Sequence, residues 1–335
     1  MPGILPPTLR AVVAHEVPEA TERFAELFGR IAANVARVIR GKDEEIALVL
    51  LCLVAEGHLL LEDVPGVGKT SMAKALARSL DCSFGRVQFT PDLLPTDVIG
   101  VTVWDRSASR FDFRRGPVFT SIVLADEINR ASPKTQAALL EAMGERQVTV
   151  DGTTYALDPP FMVLATQNPI EHEGTYPLPE SQLDRFLMRV SLGYPARQAE
   201  LEILERPSDT DHLDELAPVV DRDDLAAMTA ISGAVHVAPG VRDYLVDLAE
   251  ASRHHGHLAL GMSPRATLSL QRVARARAAA EGRHYVTPDD LKALAGPVLA
   301  HRVLLTPDAQ LQGINPDDAV EDLLRQVPVP SPAPP

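Results

Sequence analysis

A glycine-bearing turn between an apolar run and a helical pattern constrains this chain more than any other stretch. Residues 58–71 read HLLLEDVPGVGKTS. Leu59, Leu60 and Leu61 suit a short buried strand, and Val64-Pro65-Gly66-Val67-Gly68 makes a tight turn. Lys69-Thr70-Ser71 then opens MAKALARSL, where Met72, Ala73, Leu76, Ala77 and Leu80 recur at helical spacing. Strand, glycine turn and helix form the setting in which a phosphate-binding loop works. Backbone N–H groups of the turn and the positive end of the helix dipole converge there on a polyphosphate. Gly66 and Gly68 let the backbone approach the phosphates, Lys69 can reach the terminal ones, and the Thr70 hydroxyl can hold Mg²⁺.

One position departs from the usual Gly-x-x-x-x-Gly-Lys-[Ser/Thr] pattern, which has glycine where this chain has Asp63. Aspartate tolerates left-handed backbone angles, so the loop is expected to form with the carboxylate turned away from the phosphates. Asp63→Gly is accordingly expected to keep or modestly tighten nucleotide affinity.

A chain of 335 residues suggests two domains and can bury substantial cores. A net charge of −14 argues against broad nucleic-acid binding. Cys52 and Cys82 sit among apolar residues without metal-ligand spacing, as buried thiols in a reducing cytoplasm would. The run from Ile46 to Ala55 is too short to cross a bilayer, and MPGILPPTLRAVVAH carries no secretion-signal pattern. The terminal VPVPSPAPP reads as an extended, disordered tail.

Along the chain, Pro18 to about Val38 is expected as an amphipathic helix and Asp43 to Val54 as a second. Arg86 to Phe89 reads as a strand, and Val101 to Phe113 as a hairpin. Thr120 to Ala125 is a buried strand ending in Asp126-Glu127. After a phosphate loop, such an Asp can orient Mg²⁺ through its water shell, and the Glu can polarise the attacking water. A helix over Pro133–Met143 and a hairpin around Asp151-Gly152 follow. Phe161 to Thr166 is another buried strand, ending in Gln167-Asn168-Pro169. Asn168 therefore stands where ligands bind open α/β sheets, although in isolation an Asn-Pro turn is the better account of it. Leu178 to Phe186 reads as a short helix carrying Arg185, before a strand from Leu187 to Val190 and a helix from Arg197 to Glu205. Pro207 to Asp211 marks a domain boundary, and from Asp224 the pattern is helical with no strand signal. The cluster His254, His255 and His257 reads as a solvated, glycine-broken loop.

These motifs together resemble the MoxR-type AAA+ ATPases. The resemblance rests on GHLLLEDVPGVGKT, GPVFTSIVLADEINRASPKTQAALLEAMGERQVTV, LATQNPIEHEGTYPLPESQLDRF and MSPRA, and covers about Val38 to Leu305. It implies an α/β P-loop core, with a parallel sheet flanked by helices, and a C-terminal all-α lid. Residues 1–20 would be a tail, 21–207 the nucleotide-binding domain, 208–328 the lid and 329–335 a second tail. It assigns ATP to Val38, Ile39 and Gly41 beside the adenine, and to Pro65, Gly66, Val67, Gly68, Lys69, Thr70 and Ser71 around the phosphates. Thr70 and Asp126 become the Mg²⁺ pair, Glu127 the water activator, Asn168 the core sensor, Arg185 the arginine finger and Arg265 the lid sensor. Taken without the resemblance, Arg265 is an ordinary exposed residue after the helix start Ser263-Pro264.

The resemblance further implies a homo-oligomeric ring, usually a hexamer, in the cytoplasm. Such rings look like chaperones that assemble, activate or load metal into protein clients, often clients with a von Willebrand factor A domain. A DNA-directed motor and an ATP-gated scaffold with little turnover are the alternatives. The acidic balance disfavours the first and Glu127 the second.

Overall fold

In a computed structural model, described over residues 17–168, 174–195, 197–198, 200–201 and 213–330, the chain forms two compact units. One is Ile31–Arg222; the other is Met1–Arg30 with Asp223–Pro335. This division differs from the boundary expected at 207/208. The first helix, α1 (Val17–Ala36), begins in the helical unit. There the Thr21 hydroxyl donates to Gly282 O at 3.1 Å, and Arg23 pairs with Asp224 at 2.9 Å. The Pro207–Asp211 boundary, most of both expected terminal tails, part of the EGTYPLPE string and part of the Arg197–Glu205 helix lie outside the described residues.

The α/β unit is built on strands β1 (Leu59–Glu62), β2 (Phe84–Gln88), β5 (Ile122–Asp126), β8 (Met162–Gln167) and β9 (Met188–Val190). They form one parallel sheet in the order β2-β5-β8-β1-β9. β1, β5 and β8 are buried up to their last residue, as parallel strands covered on both faces must be. Each then ends on a polar side chain: Glu62, Asp126 and Gln167. All the carboxyl ends share one edge of the sheet, where open α/β folds bind ligands.

Helices α2 (Asp43–Val54), α3 (Lys69–Ser79), α4 (Pro95–Ile99), α5 (Pro133–Glu145) and α6 (Glu180–Leu183) belong to the same unit. Acidic Asp43, Glu44 and Glu45 occupy the first turn of α2, where they complement its dipole. Ser132 caps α5 by accepting the Thr135 N–H, with Pro133 in the first turn. The short α6 replaces the longer helix expected over Leu178–Phe186. Pro179 holds extended angles ahead of it. Beyond it, Arg185 N–H and Phe186 N–H close i→i−3 turns, and Phe186 drops into the core.

Both expected hairpins are present, β3 (Gly100–Asp105) with β4 (Arg110–Arg115) and β6 (Gln147–Val150) with β7 (Thr153–Ala156). The Phe113 and Tyr155 rings stack with centroids 4.3 Å apart. A cleft of about 520 Å³ lies between them, lined by Thr102, Phe111, Phe113, Val150 and Tyr155.

The helical unit contains α7 (Arg222–Ala234), α8 (Pro239–Arg253), α9 (Pro264–Ala280), α10 (Pro288–Leu299), α11 (Pro307–Leu311) and α12 (Pro316–Gln326). A proline opens each helix from α8 onward, where its missing N–H costs nothing. Two features correct the sequence reading. A small antiparallel pair, β10 (Leu258–Leu260) with β11 (Leu304–Leu305), lies in this unit, its strands too short to leave a periodic signal. His255 is buried rather than solvated, its Nε2 3.1 Å from the Asp322 carboxylate on α12. Among the described residues no helix is long and apolar enough to cross a membrane.

Asp290, buried at the start of α10, accepts a forked pair of bonds from Arg283 at 2.7 and 2.9 Å. It also accepts from Thr287 N–H and Oγ1–H at 2.8 and 2.9 Å. Burial pushes its carboxyl up, but these donors outweigh burial and hold it below the ordinary carboxylate value. A depressed folded-state pKa stabilises above the ordinary value, and that stability is lost as pH falls through the lower folded value. Asp290→Ala should therefore destabilise the helical unit by about 2 kcal/mol at neutral pH, because it removes the forked, charge-assisted bonds from Arg283 and leaves that arginine only Glu281 and Tyr285 O as acceptors among the described residues. The difference from wild type should shrink on acidification, measured by denaturant unfolding across pH.

Candidate nucleotide site

The turn after β1 has the backbone its sequence demands. Gly66 and Gly68 adopt φ of +86° and +93°, angles that side chains with a Cβ resist. Gly68 is the N-cap of α3, and no side chain caps the first turn. A glycine at this position offers the leading N–H groups of α3 no capping oxygen of its own, which fits an anionic ligand. Lys69 Nζ donates to the Asp63 carbonyl at 2.8 Å. Ile39 reaches the same turn, its Cδ1 3.8 Å from where a Cβ on Gly68 would stand. Val38 and Ile39 both donate their N–H to Val35 O, and Gly41 turns the chain at φ +66°.

Asp63 departs from expectation. It does not adopt a positive φ. Its carboxylate is buried and accepts from Ser191 Oγ at 2.9 Å, from Gly193 N–H at 3.1 Å and from Leu192 N–H. It does turn away from the glycine turn, toward the chain leaving β9. These bonds count against the expectation that glycine would keep or tighten nucleotide affinity, because glycine would leave Leu192 N–H and Gly193 N–H without this acceptor.

Two strands from β1, Asp126 ends β5, and Glu127 follows in the left-handed region at φ 56°, ψ 50°. Thr166, on the intervening β8, holds both. Its hydroxyl donates to Asp126 Oδ1 at 2.7 Å and accepts the Glu127 N–H at 2.8 Å. Asp126 Oδ2 is paired with Arg86 at 2.7 Å, and Glu127 Oε2 accepts from Gln88 Nε2 at 2.9 Å and from Arg130 at 3.0 Å. Asn168 directly follows β8 at the same sheet edge and is buried. On the other side, Glu62 joins Gln167 of β8 to Arg189 of β9.

Lys69, Thr70, Asp126, Glu127 and Asn168 thus come from the carboxyl ends of three adjacent strands. Arg185 does not join them. It is half-buried before β9, its guanidinium donating to Leu140 O on α5, and neighbouring Leu187 N–H bonds His58 O ahead of β1. The four residues of β1 separate that level from the phosphate turn, about 13 Å at a strand's rise. Arg265 belongs to the helical unit, exposed in the first turn of α9. Sequence reasoning missed Thr166, Arg86, Gln88 and Arg130. Thr166 had left one signal, a hydroxyl directly after the apolar run FMVLA.

Comparison with known proteins agrees with this geometry. Residues 58–188 match the model of the ATPase family associated with various cellular activities, and residues 250–323 match that of the AAA lid domain. The Mycobacterium tuberculosis chaperone MoxR1 is 41% identical over 330 residues, covering 95% of this chain and 87% of that protein. The chain belongs to the MoxR family of AAA+ ATPases. Another relative of this MoxR chain, the uncharacterised Bacillus subtilis protein YeaC, is 46% identical over 304 residues, 91% of this chain and 95% of that one. The crystal structure of a presumed ATPase from Cytophaga hutchinsonii superposes with a TM-score of 0.87 at 39% identity, covering 93% of this chain and 98% of that one.

For this MoxR-family site, Thr166→Val keeps the shape and removes the hydroxyl. Losing a hydrogen bond to a charged group costs about 1.5–3 kcal/mol, or roughly 10- to 100-fold in rate if it acts on the reacting geometry. Steady-state ATPase assays should show kcat falling in that range with a small change in KM, and Thr166→Ser should restore most of it.

Proposed function

We propose that this chain binds and hydrolyses ATP with Mg²⁺ as one subunit of a head-to-tail ring, a hexamer. The work it drives is the assembly, activation or metal loading of cytoplasmic protein clients, including clients with a von Willebrand factor A domain. The observation that carries the reading is the convergence of the phosphate turn, the Asp126-Glu127 pair and Asn168 on one sheet edge. The chaperone name of the mycobacterial relative supports the client class.

In this reading the turn from Pro65 to Ser71 cradles the phosphates through its N–H groups, and Lys69 neutralises the terminal ones. Val38, Ile39 and Gly41 border the adenine. The Thr70 hydroxyl and the Asp126 carboxylate would hold Mg²⁺, which when bound would supply neutralising charge to the phosphates. Glu127 accepts a proton from water as the water oxygen attacks the terminal phosphorus and the bond to the bridging oxygen breaks. Gln88, Arg130 and Thr166 aim that carboxylate, and Asn168 positions the water or the terminal phosphate. Arg265 senses nucleotide from the helical unit.

Arg185 completes the site of a neighbour. Its place at the amino end of the sheet, away from its own phosphate turn, supports a role in trans. An arginine supplied from outside neutralises charge developing on the transferred group, worth about 10³- to 10⁵-fold where it acts. A heterologous contact of this kind closes into a ring when its rotation permits.

The hairpins favour a protein client over nucleic acid. Trp104 and Phe111 meet edge-to-face at 4.9 Å and remain 49% and 71% exposed, apolar surface of the kind that anchors protein contacts.

Lys69→Ala should abolish binding of ATP in titration calorimetry, whereas Glu127→Gln should bind and not turn over. If both bound as wild type does, Lys69 would have no place in the site. Arg185→Ala and Glu127→Gln should each be nearly inactive, yet regain activity when mixed and allowed to exchange subunits. Equal random mixing leaves roughly a quarter of heterologous interfaces wild type, which sets the ceiling for uncoordinated recovery. Verified exchange with no recovered activity at any ratio would sink the shared site.

A further inference from the structure

Asp63 replaces a motif glycine with a buried carboxylate, only 6% exposed, and receives bonds on both of its ends. Its carbonyl accepts from Lys69 Nζ at 2.8 Å. Its carboxylate accepts from Ser191 Oγ at 2.9 Å, Leu192 N–H and Gly193 N–H at 3.1 Å. The residue that meets the phosphate-facing lysine therefore also holds the three residues through which the chain leaves β9. Those residues are in need of holding. Leu192 is 1% exposed, so its N–H must find an acceptor within the protein, and Gly193 turns at φ +61°. A loop built only to bind phosphate requires no carboxylate here, and burying a charge is costly unless its bonds serve the fold.

We propose that Asp63 is a positioning residue that couples the phosphate turn to the exit from β9, so that nucleotide binding and the order of Ser191–Gly193 stabilise each other. The proposal rests on the ATP-binding reading for its ligand, but the clamp stands on bonds within this chain. Coupling of this kind is reciprocal. Whatever nucleotide does to the exit segment, loosening that segment must do to nucleotide affinity.

The test uses the full-length chain, a fluorescent ATP analogue with Mg²⁺, and hydrogen exchange read at the Leu192 and Gly193 amides. In wild type these amides should exchange slowly, and more slowly still with saturating analogue. Asp63→Gly should weaken the analogue at least 10-fold, speed exchange at both amides and abolish their response to nucleotide. Asp63→Asn keeps an Oδ1 that can accept from Ser191 and Gly193, but sets an NH₂ group against Leu192 N–H. It should weaken binding less, speed exchange chiefly at Leu192 and blunt the nucleotide response, and it carries the test if the glycine variant fails to fold. A purely structural clamp would raise exchange without changing either affinity or the response to nucleotide, and that result overturns the proposal. Wild-type affinity together with unchanged exchange overturns it as well. Wild-type protein that binds no analogue would instead refute the ATP reading. The clamp would then be judged by Leu192 exchange in Asp63→Asn, where no acceleration refutes it.

Discussion

The hydrogen-bond ladder joining β5, β8 and β1 in parallel is the constraint on which the rest of the molecule depends. Its register sets Ala125 opposite Ala165 and Leu60 opposite the same residue, so three strands run out at nearly one level. Parallel pairing cannot be closed by a tight hairpin, which sends each strand into a crossover and back to the same edge. The glycine turn, the acidic pair and Asn168 need no further device to meet. They are the first residues after three apolar runs that the core will not release.

The same edge is held laterally by a line of polar bonds. Arg189, Glu62 and Gln167 join β9, β1 and β8, and Thr166 passes the line to Asp126 on β5, where Arg86 of β2 ends it. One member is strained, since Glu127 takes left-handed angles that cost a residue with a Cβ about 1–2 kcal/mol. The bond from its N–H to Thr166 offsets that cost and fixes where the carboxylate starts. Precision at this edge is a property of the sheet and its polar seam more than of the loops above it.

Much of this was legible because the residues concerned are neighbours in sequence. The phosphate turn, the Asp126-Glu127 ending and the Asp43–Val54 helix each carry their own periodicity or punctuation, and the structure keeps them nearly residue for residue. What escaped is what sequence distance hides. The partners of Asp63 lie about 130 positions away, so its carboxylate looked like a defect in a motif when it is an acceptor for another segment. Thr166 lies 40 positions from Asp126 and looked like a strand residue. The bond from His255 to Asp322 spans 67 positions, and a loop rich in glycine and histidine gave no hint of burial. The short Glu180–Leu183 helix failed for a local reason, because the pull of Phe186 into the core outweighed helical propensity.

Helix α5 draws these parts into one line. It starts at Pro133, a few residues past Glu127, and at its middle offers Leu140 O to the guanidinium of Arg185. From Pro133 to Leu140 the helix makes a rod of about 12 Å. With Arg185 serving a neighbour, that rod would be a spacer with a fixed length between the chemistry a subunit performs and the chemistry it assists. Tilting it to seat Glu127 would also move the arginine offered next door.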